Sequence, residues 1–242
     1  CVKRGLVDIG KAIRQVHFPE SDQALEPYLE MRSEAHRRLI YDEFFFFQLG
    51  MALRKRGEIL ERGISFRTDG TMVRKFYALL PFKLTPAQQR VIAEITADMA
   101  STRSMNRLLQ GDVGSGKTVV AMSAMITACD NGHQSVIMAP TEILAEQHYR
   151  NLKSWAEPLG LSIALLTSGK KKMDKRLLLN RIEKGELDMV VGTHALIQDD
   201  VAFLRPGLFV IDEQHRFGVR QRALLGQKGE GAHTLVMSAT PI

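Results

Sequence analysis

The feature that most constrains this chain is the octapeptide Gly111-Asp112-Val113-Gly114-Ser115-Gly116-Lys117-Thr118, a G-x-x-x-x-G-K-[ST] pattern. It follows the apolar pair Leu108-Leu109 and precedes a helix-like stretch, so strand, tight turn and helix must succeed one another. Glycine tolerates the backbone conformations of such a turn and leaves room beside it for an anion. N–H groups from Gly114 to Thr118 can converge on a β-phosphate, helped by the positive end of the following helix. Lys117 is placed to neutralise β- and γ-phosphate charge, and Thr118 to ligate Mg²⁺. The residues expected to hold ATP are therefore Gly111, Gly114, Ser115, Gly116, Lys117 and Thr118.

The rest of the chain after Pro81 fits that demand. Short apolar runs recur at Leu108-Leu109, Val136 to Ala139, Ile163 to Leu166, Met189 to Val191, Leu208 to Ile211 and Leu235 to Met237. Between them lie stretches with amphipathic helical character, at Val119 to Cys129, Ile143 to Leu159 and Met173 to Lys184. Runs apolar on both faces and separated by helices predict a parallel sheet covered on both sides. The run from Leu208 to Ile211 leads straight into Asp212-Glu213. Such a strand delivers its acids to the C-terminal edge of the sheet, where open α/β sheets bind ligands. Asp212 then suits the Mg²⁺ site, and Glu213 can polarise an attacking water as general base.

Residues 1–80 read differently. From Asp22 to about Arg62 the pattern is helical, interrupted at Pro27, with Gly63 as a helix stop. Phe44 to Phe47 would ring most of a helix's circumference, which favours packing on more than one side; the other reading is a docking surface. A domain boundary is expected at Leu80-Pro81, giving a helical segment over 1–80 and an α/β domain over 81–242. Net charge is +6, but it divides as +3 on each side of that boundary, so no basic tail exists to imply nucleic acid by itself. The runs Lys170, Lys171, Lys172, Lys175, Arg176 and Arg216, Arg220, Arg222 read as solvated faces. Two cysteines, Cys1 and Cys129, make no disulfide framework. No apolar run approaches the roughly 18 residues that a membrane span needs. A cytoplasmic protein without a membrane partner is expected.

At this point the residues resemble a family. Gly111 to Thr118 resembles motif I of superfamily 2 helicases, Asp212-Glu213-Gln214-His215 motif II, and Ser238-Ala239-Thr240 motif III. Ala139 to His148 resembles motif Ia, and Gly192-Thr193-His194-Ala195-Leu196 the DNA-contact motif after it. The wording of these segments is similar to the RecG family of branch-migrating helicases, as are Leu84 to Gln88, Arg216 to Arg222 and His17 to Ser21. Related transcription-repair coupling and primosomal motors usually carry Glu where Gln214 stands. The resemblance implies a RecA-like first motor domain of an ATP-dependent helicase that remodels stalled forks and Holliday junctions, with branched double-stranded DNA as partner. It also implies a second motor domain, with an arginine that completes the ATP site, and a junction-splitting wedge domain, neither of which this sequence contains. The chain on its own is accordingly expected to bind nucleotide and hydrolyse it slowly.

Residue by residue, the resemblance assigns Ser238 and Thr240 to coupling hydrolysis with movement, and Pro140, Thr141 and Thr193 to the DNA backbone. Thr141 is equally suited to cap the helix that starts at Glu142. Gln88 is the adenine-recognising residue by resemblance, yet Thr85-Pro86-Ala87-Gln88 is also a capping box with Pro at the first helical position. His194 and His215 read as structural hydrogen-bonders. Thr167-Ser168-Gly169-Lys170 departs from the family's Thr-Gly-Ser segment. A non-catalytic nucleotide-binding module and a small-molecule phosphotransferase are the rival classes. Glu213 argues against the first, and the Thr141, Thr193 and Ser238 segments against the second.

Overall fold

A computed structural model describes residues 4–19, 24–60, 62–169, 172–213 and 228–239. Gln214, His215 and Thr240, and most of the two basic runs, lie outside the described residues. Contacts divide the chain into two units, residues 1–59 and 60–242.

The first unit is helical: α1 (Ile9–His17), α2 (Glu26–Leu29) and the long α3, which runs Glu34–Leu60 across the unit boundary. Asp8 caps α1 by accepting from the Gly10 and Lys11 N–H groups, and Pro27 sits in the first turn of α2. Arg38 is buried within this unit, where its guanidinium binds Asp42 one turn on and the Val7 carbonyl. Phe44 to Phe47 correct the reading favoured from sequence. They are 47–66% exposed, not packed into a core.

In the second unit every apolar run forms a strand: β1 (Asn106–Gln110), β2 (Gln134–Met138), β3 (Ile163–Leu166), β4 (Met189–Gly192), β5 (Pro206–Asp212) and β6 (His233–Ser238). They make one parallel sheet in the order β1-β6-β5-β2-β4-β3. Strand side chains alternate between faces, and each face has its own core. Ile137, Val191, Val210, Leu235 and Met237 pack on one side, while Val136, Met138, Val190, Phe209 and Ile211 pack on the other. The first face is covered by α5 (Pro86–Met99), α6 (Lys117–Asp130) and α7 (Glu142–Ala156), the second by α8 (Lys172–Glu183).

One expected helix differs in kind. Val119 to Cys129 is buried all round, not amphipathic. Its outer side is closed by α5 and by α4 (Thr71–Leu79), whose Phe76 is fully buried against Trp155. The buried hydroxyls of Ser123 and Thr127 donate back to the Val119 and Ser123 carbonyls one turn earlier, so both are satisfied within the helix. Residues 62–66 join the same unit through main-chain bonds: Gly63 N–H to Thr102 O, Ile64 N–H to Gly231 O, Phe66 N–H to Met99 O. A side chain at Gly63 would strike the Arg103 backbone, so this glycine answers to a close approach between two segments of the chain. The segment from 60 to 80 therefore belongs with the sheet, ahead of the boundary expected at Leu80-Pro81.

Candidate functional site

The loop between β1 and α6 has the backbone its glycines announced. Gly114 and Gly116 both lie at φ +83°, and any side chain at Gly116 would also strike the Gln88 amide. Gly116 occupies the N-cap of α6, and no side chain caps that helix. Its first N–H groups therefore point out of the sheet edge with the positive end of the helix behind them. Lys117 Nζ donates to the carbonyls of Gly111 and Asp112 at 2.7 and 2.9 Å, folding the lysine back over the loop. Val113, at the tip, is 90% exposed.

The register of the sheet decides whether the acid pair faces this loop. Gln110, the last residue of β1, pairs with Ser238 of β6, and Asp212, the last residue of β5, pairs with Met237 of β6. Loop and acids thus leave the same C-terminal edge with one strand between them, about 10 Å apart from strand to strand. The end of β6 touches both: Gly111 N–H donates to Ser238 O at 3.3 Å, and Glu213 N–H donates to Met237 O at 3.0 Å. Ser238 is buried at this junction. Glu213 adopts φ +54°, a left-handed conformation that costs a non-glycine residue roughly 1–2 kcal/mol. Strain of this kind at the end of a buried strand re-aims a side chain. The oxygen donors here, the Asp212 carboxylate and the Thr118 hydroxyl, match what Mg²⁺ prefers.

Gln88 takes the cap role read for it, and one more. Its Oε1 accepts from Thr85 N–H at 2.9 Å, its own N–H reaches Thr85 Oγ1, and its Nε2 donates to Ser115 O at 2.9 Å. The amide thereby ties α5 to the loop. Thr141 likewise caps α7, accepting from Leu144 N–H at 3.3 Å, and remains exposed. Pro140 is half-buried beside it. Glu142 Oε1 accepts from the Ser168 and Gly169 N–H groups, which brings the 167–169 loop to the start of α7, and His194 Nε2 lies 3.5 Å from Ser168 Oγ. Thr193 stands apart: it is 1% exposed, and its Oγ1 has no partner among the described residues. Cys129 is buried, which pushes its thiol up to about 12 and leaves it unreactive.

Sequence reading assigned no role to His148, although it stands inside the motif Ia segment. Its Nε2 lies 2.7 Å from Asp212 Oδ2, a contact 64 residues apart in the chain. A histidine three residues after buried Ala145 and four before buried Leu152 was the available signal.

A parallel sheet with a phosphate-type loop and an acid pair on one edge defines a RecA-like P-loop domain. The chain belongs to the DEAD/DEAH box helicase family, whose model matches residues 85–242. It is 51% identical to the ATP-dependent DNA helicase RecG of Synechocystis sp. over 99% of this chain and 28% of that protein. To the RecG of Bacillus subtilis it is 50% identical over 98% of this chain and 34% of that protein. The chain thus spans about a third of the length of these relatives. A solved structure of RecG bound to a three-way DNA junction superposes with a TM-score of 0.82 at 42% identity, over 100% of this chain and 31% of that one.

Proposed function

We propose that this chain is the first motor domain of an ATP-driven double-stranded DNA translocase that remodels stalled forks and Holliday junctions. In this reading the helical unit leads to a wedge domain, and a second motor domain closes on the ATP site. The observation that carries it is the register across β6, which sets the loop and the acid pair on one edge and bonds the end of β6, where motif III begins, to both. Similarity to a RecG structure on junction DNA supports the choice of substrate.

In the proposed cycle, ATP phosphates replace the Gly111 and Asp112 carbonyls as partners of Lys117, while N–H groups from Gly114 to Thr118 receive the β-phosphate. Gln88, beside the loop, would meet the adenine. Thr118 and Asp212 would hold Mg²⁺, which neutralises the charge between the β- and γ-phosphates. Glu213 accepts a proton from the water that attacks the γ-phosphorus, and the bond to the β-phosphate oxygen breaks to release ADP. Ser238 and Thr240 would carry the loss of the γ-phosphate to the DNA side. The segments at Pro140, Thr141 and Thr193 would grip phosphates without reading bases. Of these, Thr141 is the better-exposed contact and the Thr193 hydroxyl is buried. Among the described residues no helix is long and apolar enough to cross a membrane, and a cytoplasmic setting is part of the same proposal.

The test is ATP turnover by the full-length protein, with and without three-way junction DNA. Junction DNA should raise the rate, and Glu213→Gln should lower it by roughly 10²–10⁴-fold while ATP still binds. Turnover indifferent to DNA, or a Glu213→Gln variant at the normal rate, would overturn the proposal.

A further inference from the structure

Helix α7 carries an imidazole on the face that is otherwise apolar. Ala145, Leu152 and Ala156 are its buried neighbours, and His148 is 8% exposed among them. A polar group in such a place is costly unless it is hydrogen-bonded. The bond goes to Asp212 Oδ2 at 2.7 Å, between side chains only 11% and 13% exposed, so water competes little for either partner. A carboxylate accepts and does not donate when ionised, so Nε2 carries the hydrogen. This bond joins the end of β5 to a helix that packs on the sheet's other strands and whose N-cap is Thr141. Nothing in the proposed hydrolysis requires it.

Resting on the reading of Asp212 as a Mg²⁺ ligand, we propose that His148 is a positioning residue for the cation site. Its Nε2–H holds Oδ2 and fixes the rotation of the carboxylate, so that Oδ1 is presented to Mg²⁺ in one orientation. It thereby ties the cation site to α7. Partners that orient a metal-binding side chain in this way typically account for 10–100-fold in metal affinity.

The experiment is titration of a fluorescent ATP analogue into the protein, in EDTA and then across a Mg²⁺ series. His148→Leu is the chosen variant because an apolar side chain suits the slot and preserves packing, and thermal melting checks the fold. Binding in EDTA, which depends on the Lys117 loop, should stay at the wild-type level. The Mg²⁺ midpoint for enhanced binding should rise about 10–100-fold. His148→Gln, whose amide nitrogen reaches the place of Nε2, should return it most of the way, which a purely structural role does not predict. A folded His148→Leu variant with the wild-type midpoint, or a His148→Gln variant no better than His148→Leu, overturns the proposal. Asp212→Asn separates the two levels. If it too leaves the midpoint unmoved, the Mg²⁺ role of Asp212 fails and takes the proposal with it. If it raises the midpoint while His148→Leu does not, only the role of His148 fails.

Discussion

Two residues show how differently a site and a scaffold use polar side chains. Lys117 lies at the surface end of the loop and, among the described residues, holds two carbonyls of its own turn. Lys117→Ala should weaken ATP binding by about 1.5–3 kcal/mol or more, the range for a charge-assisted bond, yet leave the melting temperature near its original value. Gln134 is the opposite. It is buried at the start of β2, where Nε2 donates to the Ile182 and Leu187 carbonyls and Oε1 accepts from the Leu204 and Arg205 N–H groups. Gln134→Ala strands all four, at about 1–3 kcal/mol for each group left dry, and should strongly lower stability. Calorimetric titration and melting curves on the two variants should give opposite patterns; similar patterns would contradict this division. The contrast also explains what could be read from the sequence. The loop was legible because its glycines answer to local backbone geometry. Gln134 and His148 were not, because their partners lie 48 to 71 residues away and no local pattern marks them.

At the scale of elements, the six strands were legible because a strand buried on both faces has to be apolar throughout. Helix α6 was misjudged because its outer side is covered by α4, which nothing in the spacing assigned to the sheet. The segment 62–66 escaped for the same reason, and its attachment has a chemical consequence. His233 at the start of β6 is fully buried; its Nδ1 accepts from Met105 N–H at 2.9 Å and its Nε2–H donates to Ile64 O at 2.7 Å. Both bonds together require the neutral ring. Burial lowers the ring's affinity for protons, as it does for His133; both imidazoles meet the Phe66 ring edge to face. The unfolded chain takes up protons near its ordinary histidine value of about 6.5 while the folded chain resists them. Stability from these groups is therefore complete above that pH and is lost as pH falls below it. Melting temperature should fall between pH 7.5 and 5.5, and the fall should be smaller in His233→Asn; a temperature that holds or rises on acidification would contradict this.

For the whole molecule, the sheet order places β6 between the strand that launches the loop and the strand that ends in the acid pair. That single placement brings segments about 100 residues apart to one edge of the sheet, and the end of β6 bonds to both. In the helical unit, Phe44 to Phe47 stay exposed. Everything proposed for the motor rests on ATP and its cation occupying the edge that β6 bridges. The direct measurement is a crystal structure of this chain with Mg²⁺ and a non-hydrolysable ATP analogue. The β-phosphate should lie within hydrogen-bonding distance of the N–H groups from Gly114 to Thr118, with Mg²⁺ held by Thr118 on the side that Asp212 faces. A nucleotide bound elsewhere, or a cation out of reach of Asp212, would contradict it.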